Sequence, residues 1–494
     1  MADATPPPAT RPDPQILARL ERLPMARPQY GILLAGGLGH LFQALDIVII
    51  GFMLPYLKAE FALSNGEIGL IGGAAPIGMI VGAVLAGLFG DRFGRKSVML
   101  YALLLFCAAS VSIAFADGLS FVIVARIVAG LGAGAEAAIV SPYISEFATG
   151  RNRGRLVSGV TFFFSLGNVV AALLGSFVVP LDNGWRITSI LCGLPVLVLL
   201  WWRRSLPESP RWLLSRGRVT EADAVVTRLE ERVVAATGRP LPAVPVAAVV
   251  PPTPQVSTSP LEVWRNGLAR VTTATWISSF VFLFAFFGFF TWMPSLFLEI
   301  GVAPGLASLY SFLLFVAQPI GYLAALAVSD RFERRTLLVT FFSVATVASV
   351  ALALIPRDSV ALLFIGMALS ICITCISGIF FPYSSEVYPT AVRATGAGLV
   401  STAGNVGALA APVAIGFAFG TVGFGGVFVA MAVLLAVGAL VIRTLGPRVT
   451  GKTLEQVFAD EAKEAKADPA DTAVPALPDA VDPVPAPVTE KGTA

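Results

Sequence analysis

The chain has 494 residues, of which 56% are hydrophobic and only 13% charged. Soluble domains carry about 25% charged residues, so this composition cannot clothe a water-exposed surface of that size. It also excludes disorder over most of the length. The formal charge of +3 is too small to indicate a nucleic-acid partner, and the apolar content suffices for about twelve membrane-crossing helices of about 20 residues each.

In chain order, residues 1–29 are polar with clustered prolines and lack the short apolar core of a signal peptide, which predicts a cytosolic N-terminal tail. Six apolar runs follow at about 31–57, 68–90, 97–116, 119–141, 156–180 and 186–202. A polar interruption covers about 203–270, and six further runs lie at about 272–298, 305–328, 336–355, 359–382, 394–420 and 422–443. The Ala-, Pro- and acid-rich segment 445–494 reads as a cytosolic, largely disordered tail. The expected division is therefore a six-helix bundle over 30–204, a cytosolic linker over 205–270 and a second six-helix bundle over 271–444. Within the linker, Thr220 and Asp223 suggest a capping box. Ala222, Val225, Val226, Leu229 and Val233 then form one apolar helical face. Ser259 followed by Pro260 suggests a second helix start.

Basic residues fix the orientation. With both ends in the cytosol, thirty of the 34 lie inside, only Lys58, Arg186 and Arg357 lie outside, and Arg126 falls within a span. Of the four cysteines, all in apolar runs, Cys372 and Cys375 have CxxC spacing. They read as small residues packed in a span, because the only histidine is His40 and further metal ligands are lacking. No metal and no cofactor are expected.

The chain repeats itself. Pro142-Tyr143-Ile144-Ser145-Glu146 returns as Pro382-Tyr383-Ser384-Ser385-Glu386, each followed seven residues after the Glu by an arginine, Arg153 and Arg393, at an offset of 240. Asp91-Arg92-Phe93 returns as Asp330-Arg331-Phe332 at an offset of 239. Repeats this long mean two six-helix halves, a plan that places a site at the bilayer midplane between them.

The stretch Gly87-x-x-x-Asp91-Arg92-x-Gly94-Arg95-Lys96 between runs two and three resembles the signature of the major facilitator superfamily. The second copy keeps Asp330, Arg331, Arg334 and Arg335 but has Ala327 and Glu333 where the two glycines stood. Arg126-x-x-x-Gly130-x-Gly132-x-Gly134, Tyr143-x-x-Glu146, Pro207-Glu208-Ser209-Pro210-Arg211 and Gly451-Lys452-Thr453-Leu454-Glu455 narrow the resemblance to the sugar-porter-like branch, over about 30–460. The resemblance implies an all-α membrane protein of twelve spans in two pseudo-symmetric bundles. It also implies a cytosolic gate built from Gly87, Asp91, Arg92, Gly94, Arg95, Lys96, Glu146 and Arg153, with Asp330, Arg331, Arg334, Arg335, Glu386 and Arg393 in the second half. Sugar porters carry a Gln-Gln pair in helix seven, whereas Phe280–Phe290 here contains no Gln, which disfavours a hydroxyl-rich substrate. The segment Gln43-Ala44-Leu45-Asp46 keeps only the second of two helix-one acids common in aromatic-acid symporters, and is closer to nicotinate-type metabolite:proton symporters. The Gly-Pro-rich helix-five signature of drug antiporters is absent.

An ionised side chain at mid-bilayer costs about 2.5–3.5 kcal/mol on insertion scales, so such residues are functional candidates. Asp46, Arg126 and Glu136 are three, all in the first half. Asp46 lies twelve residues before Lys58 and Arg126 nine after Asp117, depths of about 18 and 13 Å at 1.5 Å per residue. The levels agree within a turn, which predicts a pair that opens when Asp46 is protonated; a static pair holding helices one and four is the alternative. Proton-coupled sugar porters place an Asp and an Arg at these motif positions. Arg126 also suits a substrate carboxylate. Glu136 lies about 15 Å deeper and reads as a gate or relay, or as the partner of an inner-loop arginine. His40 and Gln43 share the Asp46 face.

Thr161, Ser165 and Asn168 stripe helix five. The offset sets Ser401 and Asn405 of helix eleven against Thr161 and Ser165, and Ser370, Thr374 and Ser377 stripe helix ten. These stripes line a cavity or bond neighbouring helices. Phe284, Phe287 and Trp292 are candidates for stacking on a ring, most of the Phe run is expected to face lipid, and Pro294 is a candidate loosening point.

The sequence thus predicts a monomeric multi-pass carrier in the inner membrane of a prokaryote. It would move a small organic anion, aromatic or heteroaromatic, with protons. A sugar or polyol porter and an efflux carrier are the alternatives. No catalytic constellation is present.

Overall fold

The computed structural model describes residues 14–147, 153–194, 196–197, 201, 203–204, 206–244, 263–264, 268–329, 331–356, 360–388 and 392–448. Spans one to four are Arg27–Phe61, Asn65–Phe93, Arg95–Ser112 and Leu119–Glu146; span five is Arg153–Phe177, and span six opens with Gly184–Gly193. Spans seven to ten are Ala269–Glu299, Pro304–Ser329, Arg334–Leu354 and Ala361–Glu386. A last helix, Arg393–Leu445, is broken at Gly423, whose φ of 65° and ψ of −171° are not helical, so it holds spans eleven and twelve. Among the described residues nine helices are long and apolar enough to cross a membrane, this double helix counting once. With spans five and six the fold has the twelve helices read from the sequence.

Within the first half, span two packs on span four, span one on span five and span three on span four; span eight on span ten and span nine on span twelve continue the plan in the second half. The glycines of the Arg126 motif explain the closeness of spans two, three and four. A Cβ at Gly130 would overlap Ala75 O, and one at Gly132 would stand 2.5 Å from Ala102 O. Three pairings join the halves: span one with seven, two with eleven and five with eight. The last two exchange under the six-helix repeat, as a pseudo-two-fold requires.

We call the end bearing residues 14–26 and 446–448 the tail side and the other the far side. The halves meet on the far side. A Cβ at Gly51 would stand 2.6 Å from Thr291 O, and one at Gly69 2.7 Å from Pro412 O. Ser176 Oγ donates to Ser308 O over 2.8 Å, Phe177 stacks edge-on against Phe312, and Lys58 pairs with Glu299 across the two halves. On the tail side a Cβ at Gly87 or Gly398 would meet nothing within 4 Å. The contacts between the halves named above thus hold them together on the far side.

Span seven departs from the expectation that its phenylalanines face lipid. Phe282, Phe286, Phe289 and Phe290 are buried, and Phe280, Phe284 and Phe287 are half-buried. The run packs internally on Phe52, Phe315, Phe380 and Phe428 and against span eleven. The reason is location: span seven sits at the seam and is surrounded on several sides by other spans.

On the tail side, helix Pro14–Glu21 lies on helix Val219–Thr237. Ile16, Leu20 and Leu23 join Ala222, Val226, Leu229 and Val233 in one buried cluster. Arg19 Nη2 and Arg22 Nη2 each reach Glu230 at 2.6 Å, and Arg19 also pairs with Asp223. The helix starts at Val219 rather than after a Thr220 cap, with Arg218 and Glu221 paired across its first turn. The helix start expected at Ser259 lies outside the described residues.

Candidate functional site

Spans one and four carry Asp46 and Arg126 to the same level, as the depth arithmetic requires. Arg126 Nη1 donates to Asp46 Oδ2 over 2.7 Å and to Asp46 O over 3.3 Å, and Ser110 Oγ of span three donates to Asp46 Oδ1 over 2.6 Å. Both side chains are almost wholly buried, at 5% and 2% exposure. Removing one partner of such a pair leaves an uncompensated buried charge, at about 3–5 kcal/mol. Nε of the guanidinium is buried and without a partner.

A second buried pair lies nearer the tail side. Glu136 pairs with Arg203, each side chain 1% exposed, and Arg203 Nη1 also donates to Met99 O. The sequence places Arg203 at the head of the polar interruption, among the basic residues counted inside, and the structure buries it against Glu136. Arg203 closes the apolar run that ends in Trp201-Trp202, and that position was the available signal. Of the two readings of Glu136, the partner is thus an arginine of span six. A Cβ at Gly39 would overlap Glu136 Oε1 and stand 2.7 Å from Arg203 Nη2, so any larger residue there would displace the ends of the pair. His40 follows directly, half-buried, with Nδ1 unpartnered.

The polar residues at mid-span form a third group. Asn168 Nδ2 donates to Gln318 Oε1 over 2.7 Å, a hydrogen bond between the halves from span five to span eight. Asn168 Oδ1, Gln318 Nε2, Ser165 Oγ and Gln43 Oε1 are buried and unpartnered. Each amide of the pair therefore keeps one free group, one acceptor and one donor. Gln318 escaped the sequence reading because it stands alone in an apolar span.

Other candidates are placed differently. Trp292 is 1% exposed and donates from Nε1 to Pro412 O over 3.0 Å, which seats it between spans seven and eleven rather than in an open cavity. Thr374 is buried and its hydroxyl donates to Ser370 O, its own helix. Phe284, Phe287 and Asn405 are half-buried, and Ser401 is exposed. Cys375 Sγ contacts Gly321 O at 3.2 Å, and both it and Cys372 are buried free thiols. Among the described residues no three His, Cys, Asp or Glu side chains gather as metal ligands.

The two signature loops make matching ion pairs, Arg95 with Glu146 and Arg334 with Glu386, related by the repeat. Ser209 Oγ also donates to Glu146, and the Lys96 N–H donates to Glu208 Oε1 over 3.2 Å. Gly94 has φ 95°, and a Cβ there would stand 2.6 Å from Glu208 Oε2. The Pro207-Glu208-Ser209 motif is thereby tied to the first loop. Arg92 is exposed beside the Phe93 ring, Arg331 is exposed, and Arg335 donates to Arg443 O. The side chains of Asp91, Arg153, Thr161 and Arg393, and residue Asp330 entirely, lie outside the described residues.

Two helical halves, a buried acid–arginine pair in the first and paired signature loops define a transporter of the major facilitator superfamily. The profile of the "Sugar (and other) transporter" family matches residues 35–460, and the chain belongs to that family. It is 32% identical over 444 residues to the niacin transporter NiaP of Acinetobacter baylyi, covering 90% of this chain and 99% of that protein. It is 27% identical over 397 residues to the 4-hydroxybenzoate transporter PcaK of Pseudomonas putida, covering 79% and 86%. The fold is similar to an inward-open structure of the xylose transporter XylE from E. coli, with a TM-score of 0.71 at 20% identity over 87% of this chain and 99% of that one. The family and these relatives are transporters, not enzymes.

Proposed function

We propose that the protein imports a small aromatic or heteroaromatic carboxylate together with protons, by alternating access across a prokaryotic inner membrane, with the tail side facing the cytosol. The observation that carries this reading is the buried Asp46–Arg126 pair with its Ser110 hydrogen bond. A neutral Asp46 no longer offsets the Arg126 charge, and a substrate carboxylate supplies the missing negative charge through the guanidinium, whose Nε is already free. Proton and anion then enter as a neutral set, which removes the cost of carrying a lone charge through a low-dielectric interior. Gln318 Nε2 offers a further donor, and half-buried Phe284 and Phe287 offer an apolar wall. The substrates for which these relatives are named, niacin and 4-hydroxybenzoate, are both ring carboxylates. The loop pairs Arg95–Glu146 and Arg334–Glu386 act as the cytosolic gate, breaking and re-forming as the halves rock.

The test is uptake of labelled nicotinate into proteoliposomes under an inward proton gradient. Accumulation above equilibrium is expected in the parent chain, abolished by a protonophore and by Asp46→Asn. Accumulation by Asp46→Asn at the parent's level rejects the coupling role. Absence of saturable uptake of nicotinate, 4-hydroxybenzoate and their ring analogues rejects the substrate class.

A further inference from the structure

The Glu136–Arg203 pair is not required by the reading above, which needs only Asp46 and Arg126. We propose that Glu136 is a second proton-binding site, on the tail side of Asp46, through which the proton leaves the carrier; this rests on the proton-coupled reading of Asp46.

Geometry links the two carboxylates along one face of span one. Gly39 touches Glu136, and Asp46 lies seven residues further, about 10 Å along a helix. Gln43 lies on that face between Gly39 and Asp46, at i+4 from Gly39, with His40 beside it at i+1. Both carry an unpartnered buried atom, His40 Nδ1 and Gln43 Oε1. On span three, Cys107 lies within electrostatic reach of both Asp46 and Glu136, one turn before Ser110. Among the described residues, Arg203 from span six and Cys107 from span three face Glu136, while His40 from span one and Tyr143 from span four lie within electrostatic reach of Arg203. A pin between spans four and six needs neither unpartnered group, and a buried ion pair seldom holds helices better than apolar packing does.

Charge balance favours transfer between the pairs. In the step, the O–H bond of neutral Asp46 breaks and one forms on Glu136, with water, His40 or both carrying the proton between. Asp46 regains its ionic bond to Arg126 as Arg203 loses the one to Glu136. Once the substrate carboxylate has left Arg126, one arginine is uncompensated before the step and one after it. Arg203 stays seated throughout, because Nη1 still donates to Met99 O. Glu136 then releases the proton toward the tail side and re-pairs.

The experiment compares two transport modes in proteoliposomes with labelled nicotinate: accumulation driven by a proton gradient, and counterflow at equal pH, which needs no net proton release. The variants are Glu136→Gln and the charge-neutral double variant Glu136→Gln with Arg203→Gln, which leaves no bare buried charge. In folded protein, judged by size exclusion, accumulation is expected to fall at least tenfold more than counterflow. Equal loss of both modes in the double variant, or accumulation at the parent's level, overturns the proposal and leaves the pair a structural pin. If the parent chain itself shows no response to the proton gradient, the coupled reading of Asp46 fails instead, and that result is visible before any variant is made.

Discussion

Asp46 and Arg126 are two residues whose relation is written in arithmetic: each can be counted from a span end, and the levels match. Glu136 could be flagged by the same rule, but its partner could not, because Arg203 sits at the edge of an apolar run where sequence cannot separate a buried arginine from the first residue of a loop. The close contact at Gly39 shows how the interior made room for that pair. Gly39→Ala inserts a methyl against Glu136 Oε1 and Arg203 Nη2, and overpacking of a filled interior costs about 1–3 kcal/mol. A lowered thermal midpoint of the purified protein is expected, together with slower uptake. Gly31→Ala, where a Cβ meets nothing within 4 Å, is the control and shows no comparable shift.

At the scale of elements, apolar periodicity gave the spans and the face of helix Val219–Thr237, while the partner of that face came only from the fold. The partner is helix Pro14–Glu21, held through Arg19 and Arg22. Burial penalises the Glu230 carboxylate, but hydrogen bonds from Arg19 and Arg22 outweigh that and hold it below its ordinary value of 4.5. A carboxyl lowered on docking stabilises the docked state fully above the undocked value, and the contribution is lost as pH falls through the docked value. The protection factor of the amides in residues 14–25, that is, exchange corrected for its intrinsic pH dependence, is therefore expected to be flat from neutral pH down to about 5, and to fall on further acidification. Glu230→Gln is expected to show faster exchange already at pH 7, and to remove that acid step. Span seven teaches the complementary lesson. A helix rich in Phe on every face reads as lipid-facing, yet it packs at the seam, since lipid and protein interior are equally apolar solvents for a phenyl ring.

For the whole molecule, the repeat offset implied two halves, and the span-two–eleven and span-five–eight contacts realise the symmetry it implied. The closure of the carrier on the far side has no trace in sequence, because one chain must serve both states. The cross-half pair of Lys58 and Glu299 gives a way to hold it. A water-soluble carbodiimide joins an amine and a carboxylate in contact by a zero-length amide bond. Treatment of the parent chain is expected to link Lys58 to Glu299, seen by peptide mass, and to abolish uptake into proteoliposomes. Glu299→Gln is expected to form no link and to retain more uptake after the same treatment.

Composition, the distribution of thirty basic residues and the 240-residue repeat determined from sequence alone that the chain is a two-half membrane carrier, and the scarcity of charge pointed to Asp46, Arg126 and Glu136. These are properties that the bilayer imposes residue by residue, since each charge and each apolar run is selected against the same solvent. Tertiary structure alone decided the partners: Arg203 for Glu136, Gln318 for Asn168, Glu299 for Lys58, and the burial of Trp292 beneath Pro412. Those contacts depend on the rotation and depth of each helix against its neighbours. Several rotations satisfy the same hydropathy pattern, and only packing of the assembled bundle selects among them.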